Sequence, residues 1–340
     1  MHLVKSGVAG AALTLAGFSL FPAQAEDCKP LTRLVQVDLL PSEDKRQEFV
    51  PVTIAGKDKF LLLDTGAVFA MLTHDAATDM GLELDTGNVE IFDVSGHKSN
   101  QYAATTFALG RLKMDRMPFV VTDSARMSDD PRIVGILGPD LFKNYDIDID
   151  FGANKLSIFS QDHCEGRVIY WPATAVAVVP MRVYDSGHIV VPVQLDGREV
   201  LATLDTGAWN TTLSRRIAES NYGLKMGAPD TPESGALQGR AASTTYSHNF
   251  STLTFEGITV NNPHVEIIPD LTHDLRAAAP AMGSHLRPTE ARENDASMLL
   301  GMNILRHFHI FISYKENKLY VTPADAPAPP PAPATPAATH

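Results

Sequence analysis

Cysteine is scarce in this chain: 340 residues contain two, Cys28 and Cys164. Two cysteines permit one disulfide at most, and on composition alone the pair is open between a bridge and two free thiols. Basic residues are also in deficit, with 28 Lys and Arg against 40 Asp and Glu and a net charge of −12. That balance argues against nucleic acid as a partner, because phosphate binding needs clustered positive charge. Beyond the N-terminus no apolar run is long enough to cross a bilayer. Two catalytic signatures are missing as well. No His-Glu-x-x-His occurs, so a zinc peptidase is unsupported, and no Gly-x-Ser-x-Gly marks a serine nucleophile. The reading that follows requires neither metal nor cofactor.

The N-terminus is a separate unit. Lys5 precedes an apolar run from Gly7 to Phe21, and Ala23-Gln24-Ala25 offers a small-x-small cleavage site. Residues 1–25 therefore read as a secretory signal peptide, with the mature chain starting at Glu26 in the periplasm or outside the cell. Removing them deletes Lys5 alone and takes the net charge to −13. At the other end, residues 323–340 are almost purely Ala and Pro, a composition that cannot build a core and is expected to be disordered.

Between these ends the chain is written twice. Residues 50–73 align without gaps on 191–214 at an offset of 141, and residues 138–158 on 301–321 at an offset of 163. Residues 26–168 and 169–322 accordingly read as two lobes of one fold. The segment 161–174 links them, and the polar stretch 270–297 takes up much of the extra length. Alternating apolar residues between 31 and 54 predict two strands joined by the charged turn Ser42-Glu43-Asp44-Lys45-Arg46. Residues 73–84 read as a short helix or turn, 139–143 as a helical piece, and 145–151 and 155–159 as strands.

The chemistry sits in the repeat. Phe60-Leu61-Leu62-Leu63 runs into Asp64-Thr65-Gly66-Ala67, and Val200-Leu201-Ala202-Thr203-Leu204 runs into Asp205-Thr206-Gly207-Ala208. A buried strand delivering a carboxylate onto a glycine turn, at equivalent points of two halves, makes two half-sites. Carboxylates held together cannot both ionise cheaply, so they share a proton. The ionised member can take a proton from water while the other donates one to a peptide carbonyl. Thr65 and Thr206 supply hydroxyls to lock the loops across the interface; Gly66 and Gly207 allow close backbone approach. A third copy, Asp85-Thr86-Gly87, lacks the apolar run and has no counterpart in the second half, so Asp85 reads as an ordinary turn or loop acid.

These motifs, with Ile136-Leu137-Gly138 and Leu299-Leu300-Gly301 behind them, resemble the retropepsin- and pepsin-type aspartic peptidases. The bacterial retropepsin-like proteins in fused, two-lobe form are the nearest likeness. The resemblance covers residues 31–322. It implies a mainly β fold of two homologous barrel lobes with short helices, and a cleft for an extended polypeptide with flaps over it. It also implies a monomer whose lobes are related by a pseudo-two-fold axis. By position the flap tips fall near Gly96 and Gly239. Asp140 and Asn303 match the family's Gly-x-Asp/Asn pattern, with Gly138 and Gly301 as the structural glycines. Two departures stand out. Retroviral members carry Arg where Pro139 and Met302 stand, so support for the interface must come from elsewhere, and a Cys28–Cys164 bridge could contribute. Pepsin-like members follow the motif with Ser or Thr, whereas Ala67 and Ala208 have no hydroxyl.

Three readings follow: an active endopeptidase, a peptide- or protein-binding module of the same fold that has lost turnover, and another two-carboxylate enzyme such as a glycosidase, which needs a wider spacing of roughly 5 to 9.5 Å. His307-Phe308-His309 would place two imidazoles on one face of a strand, read as structural or surface histidines. Trp209 and Asn210, standing opposite Val68 and Phe69, are the clearest difference between the half-sites and either shape the cleft or pack between loops.

Overall fold

The computed structural model describes residues 28–92, 98–122, 129–173, 175–236, 244–270 and 296–324, apart from the side chains of 88–92 and 98. The expected signal peptide, both flap tips and nearly all of the 270–297 stretch and the Ala/Pro tail lie outside them. The fold is mainly β, with short helices at His74–Met80, Pro139–Phe142, Arg215–Tyr222 and Met302–Leu305. None of the described helices is long and apolar enough to cross a membrane.

Each half builds its own sheet around the strand that leads to its Asp. In the first half, Lys57–Leu63 lies between Glu48–Ile54, antiparallel, and Ile133–Leu137, parallel. Pairing of Thr53 and Ile54 with Ala108 and Phe107 folds the eight-stranded sheet back on itself. In the second half Arg198–Leu204 lies between Ile189–Leu195 and Met298–Leu300 with the same polarities. A strand flanked on both sides and buried on both faces must be apolar throughout its deeper part. Leu61, Leu62 and Leu63 meet that demand, all at 3% exposure or less. The helices repeat too. Thr73 and Ser214, 141 residues apart, each accept a backbone N–H at the start of theirs. Gly81 and Gly223 end them in the left-handed conformation, at φ 72° and 67°.

A third sheet of six strands takes three from each half, in the order Arg33–Asp38, Lys155–Phe159, Asp146–Asp150, Phe308–Ser313, Lys318–Pro323, Ala177–Pro180. At its centre Asp148 pairs with Phe311, its own counterpart at the 163 offset, flanked by Ile147 with Ile312 and Ile149 with Ile310. The pseudo-two-fold axis therefore passes between Asp148 and Phe311. One hydrophobic core runs through both halves, from Leu63, Leu72 and Leu137 through Ile147 and Ile310 to Leu204, Leu213 and Leu300.

Three local expectations need correction. The charged turn does join two paired strands, but its first arm is only Leu40–Pro41 against Glu48 and Phe49, while Arg33–Asp38 joins Lys155–Phe159 in the six-stranded sheet. Alternation identifies a strand and its buried face, but the partner is fixed by distant chain. Asp85 is no turn residue: it opens the strand Asp85–Phe92, opposite Tyr102, and is exposed. His307 lies in the turn before the strand Phe308–Ser313, so only His309 belongs to that strand.

Cys28 and Cys164 are bonded, 136 residues apart in sequence. Beside the bridge, the linker supplies Val168, Ile169 and Trp171 to a small core with Phe159, Phe311 and Tyr320.

Candidate active site

The two apolar strands end by placing Asp64 and Asp205 side by side. Asp64 N–H bonds to the carbonyl of Leu137 at 3.2 Å and Asp205 N–H to that of Leu300 at 3.0 Å, so the parallel neighbour sets where each carboxylate emerges. Each loop then turns onto its own acid. Gly66 and Ala67 donate their N–H groups to Asp64 Oδ1, both at 2.9 Å, and Gly207 and Ala208 do the same for Asp205.

The loops interlock. Thr65 Oγ1 donates to the carbonyl of Leu204 at 2.8 Å and accepts the N–H of Thr206 at 3.1 Å; Thr206 returns both bonds, to Leu63 and from Thr65. Both threonines are fully buried, so all these groups depend on one another for their hydrogen bonds. Each glycine lies against the opposite carboxyl. A Cβ on Gly66 would fall 2.3 Å from Asp205 Cγ, and one on Gly207 the same distance from Asp64 Cγ. No side chain fits there without separating the acids.

Burial and then the neighbouring Asp205 charge raise the Asp64 carboxyl above the usual range, while the Gly66 and Ala67 N–H groups pull it down. Asp205 is also raised, chiefly by burial, against the Ala208 and Gly207 N–H groups and the nearby charge of His188. The two carboxyls enter each other's titration, so the protons come off in two steps that belong to the pair rather than to either acid.

Behind the loops the expected glycines are in place. A Cβ on Gly138 would meet the Phe69 carbonyl carbon at 2.6 Å, and one on Gly301 the Asn210 carbonyl oxygen at 2.5 Å. Asp140 accepts the N–H groups of Ala70 and Leu141, and burial raises its carboxyl. Asn303 accepts both the N–H and the hydroxyl of Thr211 and donates to the carbonyl of His264. Gly96 and Gly239 lie outside the described residues; in sequence they fall between the antiparallel partners Asp85–Phe92 and Lys98–Leu109, and Glu233–Ala236 and Thr244–Asn249.

The support that Arg would give comes from the hairpin turns of the opposite half. Gly187, at φ 91°, sits against the ring of Pro139. The next residue, His188, bonds through Nε2 to the Gly66 carbonyl at 2.8 Å. From the first half Arg46 lies over the ring of Trp209 at 5.2 Å, with Arg306 over the same ring at 5.4 Å. Trp209 thus joins the interface, whereas Val68 and Phe69 stand exposed on the other loop, and Asn210 donates to Glu266.

Sequence reasoning missed His188 and Thr211. His188 lies three residues ahead of the ungapped repeat, where the offset sets it against Gln47. Thr211 lies inside the repeat but opposite Ala70; its hydroxyl also accepts the Gly301 N–H at 3.0 Å. Among the described residues no cluster of His, Cys, Asp and Glu could hold a metal.

A family model described as aspartyl protease matches residues 50–141 and 191–304, together more than half of the chain. Among solved structures, the aspartic proteinase from Irpex lacteus is 12% identical with a TM-score of 0.50, the match covering 86% of this chain and 98% of that one. A retropepsin-like aspartic protease from Rickettsia conorii is 16% identical with a TM-score of 0.32, over 45% of this chain and 96% of its own. Basic 7S globulin from soybean is 9% identical with a TM-score of 0.46, over 87% of this chain and 96% of its own. No curated protein matches the sequence. Two matched segments, carrying the paired loops at Asp64 and Asp205, show that the chain belongs to the aspartyl protease family.

Proposed function

We propose that this protein is an exported aspartic endopeptidase, periplasmic or extracellular, acting as a monomer on extended polypeptide. The observation that carries the reading is the reciprocal packing of each loop glycine on the opposite carboxyl, held by the paired threonine bonds. It brings Asp64 and Asp205 into direct interaction, which favours a shared proton over the wider separation of a glycosidase pair. In the reaction the ionised carboxylate takes a proton from water, the resulting nucleophile attacks the peptide carbonyl carbon, and the protonated carboxyl donates to the carbonyl oxygen. In the collapse of the tetrahedral species, the carboxyl that took water's proton gives it to the leaving amine nitrogen, and the other carboxylate takes back a hydroxyl proton, which restores the shared-proton pair. One chain holds both half-sites, which supports the monomer. The Cys28–Cys164 bond supports export, because such bonds persist in oxidising compartments.

Incubating residues 26–340 with a denatured protein mixture, with and without pepstatin, tests the proposal. Cleavage that pepstatin abolishes is expected. Peptide binding without cleavage at any pH would make the protein a binding module of this fold.

A further inference from the structure

His188 stands on the turn joining the strands Arg182–Val183 and Ile189–Leu195, and reaches across the lobe interface. Its Nε2 meets the Gly66 carbonyl at 2.8 Å and its Nδ1 meets Ser186 Oγ at 3.0 Å. The two partners differ in kind. A carbonyl only accepts, so Nε2 must carry a proton at every pH. A serine hydroxyl can donate or accept, so Nδ1 can gain or lose a proton while both bonds stay in place. The imidazole can therefore hold either charge state without moving.

The Gly66 carbonyl belongs to the same peptide as the Ala67 N–H, which donates to Asp64 Oδ1. A chain of two hydrogen bonds thus runs from His188 through one peptide group to Asp64, and such chains polarise cooperatively. Asp205 feels the same imidazole directly through its charge. The counterpart at the 141 offset is Gln47, which carries no charge at any pH.

We propose that His188 is a positioning residue of the site: it fixes the Gly66 loop through its carbonyl and, when protonated, stabilises the singly ionised state of the Asp64–Asp205 pair. This inference rests on the peptidase reading of that pair. The described groups around the imidazole come from its own turn, the catalytic loops and the helix Pro139–Phe142. Ser186 comes from its own turn, where Asp185 and Arg182 are exposed. The catalytic loops present the Gly66 carbonyl and, through its charge, Asp205. From the helix Pro139–Phe142 the turn meets uncharged Pro139, while Asp140 is turned to the Ala70 and Leu141 N–H groups.

The sign follows from the charge. A cation that stabilises the singly ionised pair lets it lose its first proton at lower pH, which sets the acidic limb of the rate profile. His188→Gln keeps a donor for the Gly66 carbonyl but not the charge; His188→Leu keeps neither. The test follows kcat/KM against pH for the wild type and both variants. In parallel, carboxyl-carbon NMR of isotope-labelled aspartate reads the pair's first proton loss without needing turnover. In His188→Gln the acidic limb and the NMR step should both move up by about half to one pH unit, with kcat at the optimum retained within a few-fold. In His188→Leu the same shift should appear with kcat lowered about ten-fold or more, a loss that Gln rescues. If the limb and the NMR step of His188→Gln coincide with those of the wild type, the proposal is overturned. Should the Leu variant not fold, the Gln variant decides alone. Absence of wild-type turnover would end the peptidase reading, and the NMR step would still judge His188.

Discussion

Ala67 and Ala208 decide how acidic the pair can be. Each contributes a backbone N–H to its aspartate but no hydroxyl, so the ionised form has fewer donors than a Ser or Thr there would give. A donor withheld from the charged form leaves the pair's first proton more tightly held. Hydrolysis should therefore peak in mild acid, at roughly pH 4 to 6. In an Ala67→Ser, Ala208→Ser double variant the added donors stabilise the ionised state, so the acidic limb should move to lower pH, as a kcat/KM profile will show. An unmoved limb in the folded variant would mean that groups other than these neighbours hold the proton. At this scale the sequence was informative wherever the repeat was strict: Asp64, Thr65 and Gly66 and their counterparts could be found by alignment alone. His188 and Thr211 could not, because each stands where the other half has a different residue, Gln47 and Ala70.

Strands and their turns carry a second set of consequences. Glu48 opens the strand Glu48–Ile54 at the place where the repeat sets Ile189, and both are buried. Glu48 Oε2 has no hydrogen-bond partner among the described residues, and burial pushes the carboxyl up to about 7. Its folded value lies above the unfolded one, so its contribution to stability is intact below the ordinary glutamate range and is lost as pH rises through about 7. Glu48→Gln removes that dependence. Its Tm should match the wild type at pH 4 and exceed it by a few degrees at pH 8, measured by thermal unfolding; equal values at both would show that Glu48 ionises without cost. Elements were legible from alternation, as with 145–151 and 155–159, and the helix near 73–84 only in outline. Pairing was not: Arg33–Asp38 has the pattern of a hairpin strand, yet its partner lies more than a hundred residues away, where only the closed fold can put it.

At the scale of the molecule, the two halves are joined at the interlocked loops and along the six-stranded sheet. In that sheet Asp146 is fully buried and takes bonds from His163 Nε2 at 2.6 Å, Ser313 Oγ at 2.7 Å and the Tyr314 N–H at 2.9 Å. It thereby ties the first half to the linker and to the second. Removing one partner of such a network strands the others, so Asp146→Ala should lower unfolding stability by about 3 to 5 kcal/mol in urea titration. A loss under about 1 kcal/mol would show that water replaces the carboxylate. The Cys28–Cys164 bond closes a loop of comparable reach, worth about 4 to 5 kcal/mol at most by chain entropy. None of the Asp146 network could be read from the sequence, since it joins residues up to 169 apart that follow no motif. The two-lobe plan could be read, because duplication leaves its mark in the order of residues. All of this structure serves to hold two carboxyls against each other. The most direct measurement is hydrolysis of a denatured protein by Asp64→Asn and Asp205→Asn, each beside the wild type at its optimum pH. An amide matches the carboxyl in shape but can serve neither as base nor as partner to a shared proton. Each single variant should lose at least about a thousand-fold in kcat while unfolding like the wild type. If either one turns over at the wild-type rate, Asp64 and Asp205 are not the catalytic pair.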